Sequence, residues 1–87
     1  MANVWIPPLL RDLTGGQECV RVTGDKVRSL VDALDATYPG LKARLVEGDG
    51  LRRGLVVVVD GMTSRQGLRQ RVNPDSEVHF IAAVGGG

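Results

Sequence analysis

The fold of this 87-residue chain is decided by the stretch Val27-Arg28-Ser29-Leu30-Val31-Asp32-Ala33-Leu34. Its four large apolar residues follow the i, i+3, i+4, i+7 spacing that places side chains on one stripe of an α-helix. The charged residues Arg28 and Asp32 lie off that stripe. The stretch therefore predicts one amphipathic helix that packs a single face against a sheet.

The residues on either side of this helix predict where it begins and ends. Gly24-Asp25 begins it, with Asp25 as the predicted N-cap, because a carboxylate can accept hydrogen bonds from the free N–H groups of the first turn. Pro39-Gly40 ends it, and Leu41 with Leu45 predicts a further short turn of helix.

Strands are predicted on both sides of the helix, over residues 3–6, 18–23, 55–59 and 77–84, with a short edge piece over 62–65. Thr14-Gly15-Gly16 and Asp60-Gly61 are tight-turn signals that reverse the chain between neighbouring strands. Residues 55–59 are apolar on both faces of the pleat, so this stretch is predicted to be a middle strand.

The order of these elements predicts an α+β fold, in which one main helix covers a mixed sheet of four to five strands. The connection from the second strand through the helix to the third strand is expected to be a right-handed crossover. We expect one domain over residues 1–84, followed by a flexible glycine tail over residues 85–87.

Composition excludes several classes of function. Eleven basic and ten acidic side chains give a net charge of +1, and aromatic residues make up only 3%, so nucleic acid is not an expected partner. One cysteine, Cys19, and one histidine, His79, do not make a metal site, and Cys19 is expected to be a half-exposed strand residue. Because neither a signal peptide nor a membrane-spanning stretch is evident, we expect a cytoplasmic protein without membrane contact.

The last stretch, Ala82-Ala83-Val84-Gly85-Gly86-Gly87, ends in three glycines and a free α-carboxylate. Glycines can thread a narrow slot because they lack a side chain, so this tail could present its carboxylate to another protein's active site. A frayed terminus is the alternative interpretation of the same residues.

The whole pattern resembles the ThiS/MoaD family of sulfur carriers, and within it the CysO-like branch, which has the β-grasp fold of ubiquitin-like proteins. The segments that carry the resemblance extend over almost the whole chain. They are Ile6-Pro7, Leu10-Arg11, Thr14-Gly15-Gly16-Gln17, Gly24-Asp25, Tyr38-Pro39-Gly40-Leu41, Val57-Val58-Val59-Asp60-Gly61 and Ala83-Val84-Gly85-Gly86-Gly87.

This resemblance implies that the chain is a carrier and not an enzyme. An E1-like, ThiF/MoeB-type adenylyltransferase would join the Gly87 carboxylate to AMP, using ATP and magnesium, while Gly85 and Gly86 enter its active site. The chain itself would bind no cofactor. Sulfur from a rhodanese or cysteine desulfurase would then give a Gly87 thiocarboxylate for a sulfur-accepting synthase.

Within the family, the CysO-like branch points to cysteine biosynthesis, with a pyridoxal-phosphate-dependent cysteine synthase and a metalloprotease as further partners. Thiamine, molybdopterin, tRNA and secondary-metabolite thiolation use the same chemistry. Two other functions fit the sequence: a ubiquitin-like modifier conjugated to lysines, and a β-grasp interaction module with inert glycines.

Docking is expected on the exposed face of the sheet beside the last strand. The candidate contact residues are His79 or Phe80 on that strand, together with a positive patch formed by Arg65, Arg69 and Arg71.

Overall fold

The computed structural model describes residues 1–82, so the predicted tail over residues 85–87 lies outside the described residues. Among residues 1–82, no helix has the length and apolar character needed to cross a membrane. In chain order, the elements are β1 (Ala2–Trp5), a first 3₁₀ helix (Pro8–Thr14), β2 (Cys19–Val22), α1 (Val27–Thr37), α2 (Leu41–Leu45), β3 (Val46–Glu47), β4 (Gly50–Leu51), β5 (Leu55–Val59), β6 (Met62–Thr63), a second 3₁₀ helix (Gly67–Arg69) and β7 (Glu77–Ala82).

Five of these strands form one mixed sheet in the order β2-β1-β7-β5-β6. The central strand is β7, which runs parallel to β1 and antiparallel to β5. Strands β3 and β4 pair separately as a small two-stranded sheet. The predicted mixed sheet of four to five strands is confirmed. Strand β5 has a neighbour on each side, as predicted, although β7 occupies the centre.

The apolar stripe of α1 forms one side of the core. Its four residues are each at most 1% exposed: Val27, Leu30, Val31 and Leu34. They belong to one core cluster with Val4, Val57 and Val78, which are fully buried on the three inner strands of the sheet. Each such burial stabilises the fold by about 1.5–3 kcal/mol relative to an exposed side chain. The predicted helix and its buried stripe are confirmed.

The predicted N-cap at Asp25 is wrong. Helix α1 begins at Val27, with Lys26 in the cap position and no side chain capping the first turn. The N–H of Val27 instead donates to the carbonyl of Gln70 at 2.9 Å. The N–H of Val72 donates in turn to the carbonyl of Asp25 at 3.0 Å. Because the backbone on either side of the helix start pairs with this distant segment, the first turn is anchored without a cap from the Asp25 side chain.

The predicted tight turn at Asp60-Gly61 is confirmed, since both residues have positive φ values, 50° and 83°. The carboxylate of Asp60 also accepts hydrogen bonds from the Ser76 hydroxyl at 2.8 Å and from the Glu77 N–H at 2.9 Å. These bonds tie the β5–β6 turn to the beginning of β7. They therefore help to fix the position of the central strand.

Candidate functional site

The central strand leads directly to the residues that the sequence marks as reactive. Ala82 is the last residue of β7 and pairs with Leu55 of β5. Gly85, Gly86 and Gly87 follow it in sequence and lie outside the described residues. Five residues span at most about 18 Å when fully extended. A protein that acts on Gly87 must therefore come close to the end of the sheet where β7 finishes.

The face of the sheet that α1 does not cover, which we term the open face, carries the outward-pointing residues of the strands. The strand registers bring one residue from each strand into a single row, in the order Cys19, Trp5, His79, Val58 and Thr63. The rings of Trp5 and His79 stack at the middle of this row, with their centroids 5.5 Å apart and their planes at 2°. An aromatic pair thus lies at the centre of the open face.

A hydrogen bond holds Trp5 in place in addition to the stacking. Its Nε1 donates to Oε1 of Glu77 at 2.8 Å, and the side-chain amide of Asn3 donates to the other carboxylate oxygen. The bond from Asn3, followed by the bond from Trp5, lowers the pKa of Glu77 because both stabilise the charged form. The indole ring is therefore oriented before any partner arrives.

Apolar side chains extend the open face toward the end of β7. Ile81 pairs with Val56 in the register and is 46% exposed. Val56 and Val58 are half-buried on the same face. Exposed apolar and aromatic side chains grouped together are typical of protein–protein interfaces. The open face therefore presents accessible apolar side chains that reach to within one residue of Ala82.

Cys19 lies at the β2 end of the row and is half-buried. Burial raises the pKa of its thiol, and the nearby Glu77 carboxylate raises it further. A raised pKa keeps the thiol protonated at neutral pH and lowers its reactivity as a nucleophile. Cys19 therefore has the unreactive strand position that the sequence predicted.

The two candidate docking residues on β7 have opposite environments. His79 is exposed on the open face, whereas Phe80 is only 5% exposed and belongs to the core. Successive residues of a strand point to opposite faces, so the two side chains do not belong to one exposed face. The inclusion of Phe80 in the docking surface was wrong, because its ring is buried beneath the helices.

The three residues of the predicted positive patch are all exposed: Arg65, Arg69 and Arg71. Two of them, Arg65 and Arg71, line a polar groove of about 340 Å³ beside the β5–β6 turn. Because β5 and β7 are antiparallel, this turn lies at the beginning of β7 and not at its end. The length of β7 puts the patch roughly 17 Å from the end that leads to the tail.

Sequence reasoning did not single out Trp5 or Ile81. Ile81 could have been found, because it lies two residues after His79 and must share its face. Trp5 could not have been placed in the same way, since its position depends on the parallel pairing of β1 with β7, which joins the two ends of the chain.

The model of one protein family matches almost the whole chain. The model of the ThiS family matches residues 4–87, which include both the described domain and the glycine tail. The chain therefore belongs to the ThiS family, as its resemblance to sulfur carriers indicated.

Individual relatives within the family are sulfur carriers of one type. The sulfur carrier protein CysO of Mycobacterium bovis is 33% identical over 90 residues, covering 98% of this chain and 97% of the relative. A chain of the crystal structure of the Amycolatopsis orientalis BexX/CysO complex superposes with a TM-score of 0.91 at 34% identity, and all of both chains is covered. The crystal structure of Mycobacterium tuberculosis CysO gives a TM-score of 0.89 at 30% identity, with 97% of this chain and 100% of that chain covered.

These likenesses confirm the predicted ubiquitin-like β-grasp fold and define a sulfur carrier of the CysO type. Proteins of this class are small carriers and not catalysts.

Proposed function

We propose that the chain carries sulfur as a thiocarboxylate on Gly87. The observation that supports this most directly is the family match, which extends through the three terminal glycines to Gly87 itself. A carboxylate is a poor electrophile because its charge is shared between two oxygens, so it must first be activated. An E1-like adenylyltransferase of the ThiF/MoeB type would provide ATP and magnesium, and this chain would provide the carboxylate.

The proposed chemistry has two steps. A carboxylate oxygen of Gly87 attacks the α-phosphorus of ATP, and pyrophosphate leaves with the electron pair of the broken P–O bond. Sulfide then attacks the carbonyl carbon, AMP leaves, and the thiocarboxylate remains. If the sulfur comes as a persulfide from a rhodanese or cysteine desulfurase, the same attack gives an acyl disulfide, which a thiol reduces to the thiocarboxylate.

The proposed acceptor belongs to cysteine biosynthesis, because the curated relatives are CysO sulfur carriers. A pyridoxal-phosphate-dependent cysteine synthase would take sulfur from the thiocarboxylate, and a metalloprotease would later release the product. Carriers for thiamine, molybdopterin or tRNA thiolation would use the same activated terminus. The pathway would then be set by which acceptor recognises the surface of the chain.

The proposed docking site is the open face, with Trp5, His79 and Ile81 as its main contacts. The stacked and hydrogen-bonded Trp5 ring supports this choice, because rigid aromatic side chains contribute strongly to protein interfaces. The CysO of Amycolatopsis orientalis was crystallised as a complex with BexX, which supports a stable contact between such a carrier and a protein partner.

Intact-protein mass spectrometry would test the proposal. The full chain is incubated with a ThiF/MoeB-type enzyme, ATP, magnesium and sulfide, and its mass is compared with that of the same chain lacking Gly87. We expect a gain equal to the replacement of one oxygen by sulfur in the full chain alone. An unchanged mass with several such enzymes would contradict the proposal.

A second variant separates entry of the tail from folding. Replacing Gly86 by valine adds a β-branched side chain next to the reacting residue, so we expect slower adenylation with an unchanged melting temperature. Adenylation at the native rate would contradict the idea that the tail enters a narrow slot in the activating enzyme. Isopeptide-linked conjugates on lysines, without a thiocarboxylate, would instead identify the chain as a protein modifier.

A further inference from the structure

A groove of about 370 Å³ lies beside Ala82, at the end of β7 that leads to the tail. The groove is formed by the first 3₁₀ helix, the helix α2, the loop before β5, and the paired ends of β5 and β7. Residues from these elements that line it are Leu9, Leu10, Arg44, Arg52, Leu55 and Ala82. Leu9 is 86% exposed, the highest value for a large apolar side chain among residues 1–82. An exposed leucine at the rim of a groove leaves apolar surface for a partner to cover.

Two arginines make this groove positively charged. Arg44 and Arg52 are exposed, and the two ion pairs found among residues 1–82, Arg11–Glu18 and Lys42–Asp32, involve neither of them. Nη1 of Arg52 donates to the carbonyl of Ala43 at 3.3 Å, which holds its guanidinium against α2. The net charge of the chain is only +1, so this positive rim is a local feature. It can attract a carboxylate-bearing segment.

We propose that this groove docks an acidic segment of the protein that activates Gly87. The segment would carry carboxylates on either side of an apolar side chain. The apolar side chain would cover Leu9, and the carboxylates would bind Arg44 and Arg52, whose planar guanidinium groups can each form two parallel hydrogen bonds to a carboxylate. This inference rests on the proposed function for the identity of the partner, and it adds a second docking surface to the open face.

The groove and the open face lie on opposite sides of the same strand end. Ile81 points to the open face, whereas Leu55 and Ala82 line the groove. A partner that contacts both surfaces would hold the end of β7 from two sides, which fixes the direction in which the following residues are presented. The open face would supply apolar contact, and the groove would supply electrostatic attraction that speeds encounter.

Charge reversal at matched positions would test the groove. The double variant Arg44→Glu/Arg52→Glu is compared with Lys26→Glu/Arg28→Glu, which makes the identical change in net charge at exposed residues at the start of α1, outside the groove. A third variant, Arg44→Lys/Arg52→Lys, retains the charge. Thermal melts check that each full-length variant is folded. The KM for the carrier and kcat are then measured by ATP–pyrophosphate exchange with a ThiF/MoeB-type enzyme at low and high salt.

We expect the groove reversal to raise the KM by about tenfold or more at unchanged kcat, because it places like charges opposite the acidic segment. The matched reversal should change the KM by less than about twofold, and the lysine variant, which keeps the charge but loses the paired hydrogen bonds, should raise it by about threefold. High salt should raise the KM of the wild type but not that of the groove reversal. Leu9→Ser should raise the KM by about fivefold.

Three outcomes would overturn the inference. Equal KM changes in the two charge reversals would show that only net charge matters. A lower KM in the groove reversal would mean that the groove holds the chain's own terminal carboxylate and not a partner segment. If the wild type supported no exchange at all, the proposed function would fail, and the partner named here would fail with it.

Discussion

The two faces of the five-stranded sheet are built from alternate residues of the same strands, yet they have different surroundings. On the covered face, Val57 and Val78 are fully buried beneath the helices. On the open face, Ile81 is 46% exposed and His79 is exposed beside the half-buried Trp5. Apolar residues therefore stabilise the domain on one face, whereas on the other they remain accessible to a partner.

Strand β5 shows why composition alone does not separate these two roles. All five of its residues, Leu55–Val59, are apolar, and they alternate between the two faces. Val57 and Val59 are buried, whereas Val56 and Val58 are only half-buried. The same residue type is thus either buried in the core or left partly accessible, according to whether a helix covers it.

The largest expected effect is a loss of stability when a side chain that packs on the covered face is shortened. Leu34 of α1 is 1% exposed, so Leu34→Ala removes buried methyl groups and leaves a cavity. We expect the free energy of unfolding to fall by about 2–5 kcal/mol, measured by urea denaturation with circular dichroism. The matched open-face variant, Ile81→Ala, should lose less than about 1 kcal/mol, because nearly half of that side chain is already in water. Equal losses would contradict the distinction between the faces.

The second-largest expected effect is on the open face, and it concerns binding of a partner and not stability of the domain. Trp5→Ala removes the ring that stacks on His79, and we expect the Kd for the activating enzyme to rise by about 30-fold, or about 2 kcal/mol. Calorimetric titration measures the Kd, and urea denaturation should show a smaller loss of stability than for Leu34→Ala. Trp5→Phe is the control, since it keeps an aromatic ring while it loses the Nε1 donor to Glu77 and part of the ring area. Unaltered binding by Trp5→Ala would remove the open face from the docking site.

Much of the packing on the covered face could be predicted from the sequence, because the buried stripe of the helix depends on local periodicity. The spacing of Val27, Leu30, Val31 and Leu34 predicts the buried stripe of α1 directly. The turn at Asp60-Gly61 was likewise predicted by local rules. In both cases the residues that determine the structure are close together in the chain.

The features that were missed depend on contacts between distant segments. The Asp25 cap was wrong because residues near Gln70 pair with the start of the helix instead. Trp5 and His79 meet only because β1 and β7 pair in parallel in one particular register. Side-chain alternation in β7 did place His79 outward, but it should also have removed Phe80 from the docking surface.

The smallest expected effect concerns pH and the orientation of Trp5. Bonds from Asn3 and Trp5 lower the pKa of Glu77 below its ordinary value of 4.5. A carboxyl group with a lowered pKa in the folded state stabilises that state fully above its unfolded pKa, and the contribution is lost as the pH falls through the folded pKa. The stability difference between the wild type and Glu77→Gln should therefore be constant above about pH 5 and should shrink below about pH 4.5.

Trp5 is the single tryptophan of the chain, so its fluorescence reports this change on the open face. In the wild type, we expect the emission to shift below pH 4.5, when protonation of Glu77 weakens its acceptance of the Nε1 hydrogen. Glu77→Gln keeps an oxygen acceptor without a titrating proton, so its emission should not shift in that range. A shift of equal size in both proteins would mean that Glu77 does not orient the indole. The open face would then depend on the stacking with His79 alone, whereas the covered face would be unaffected in either case.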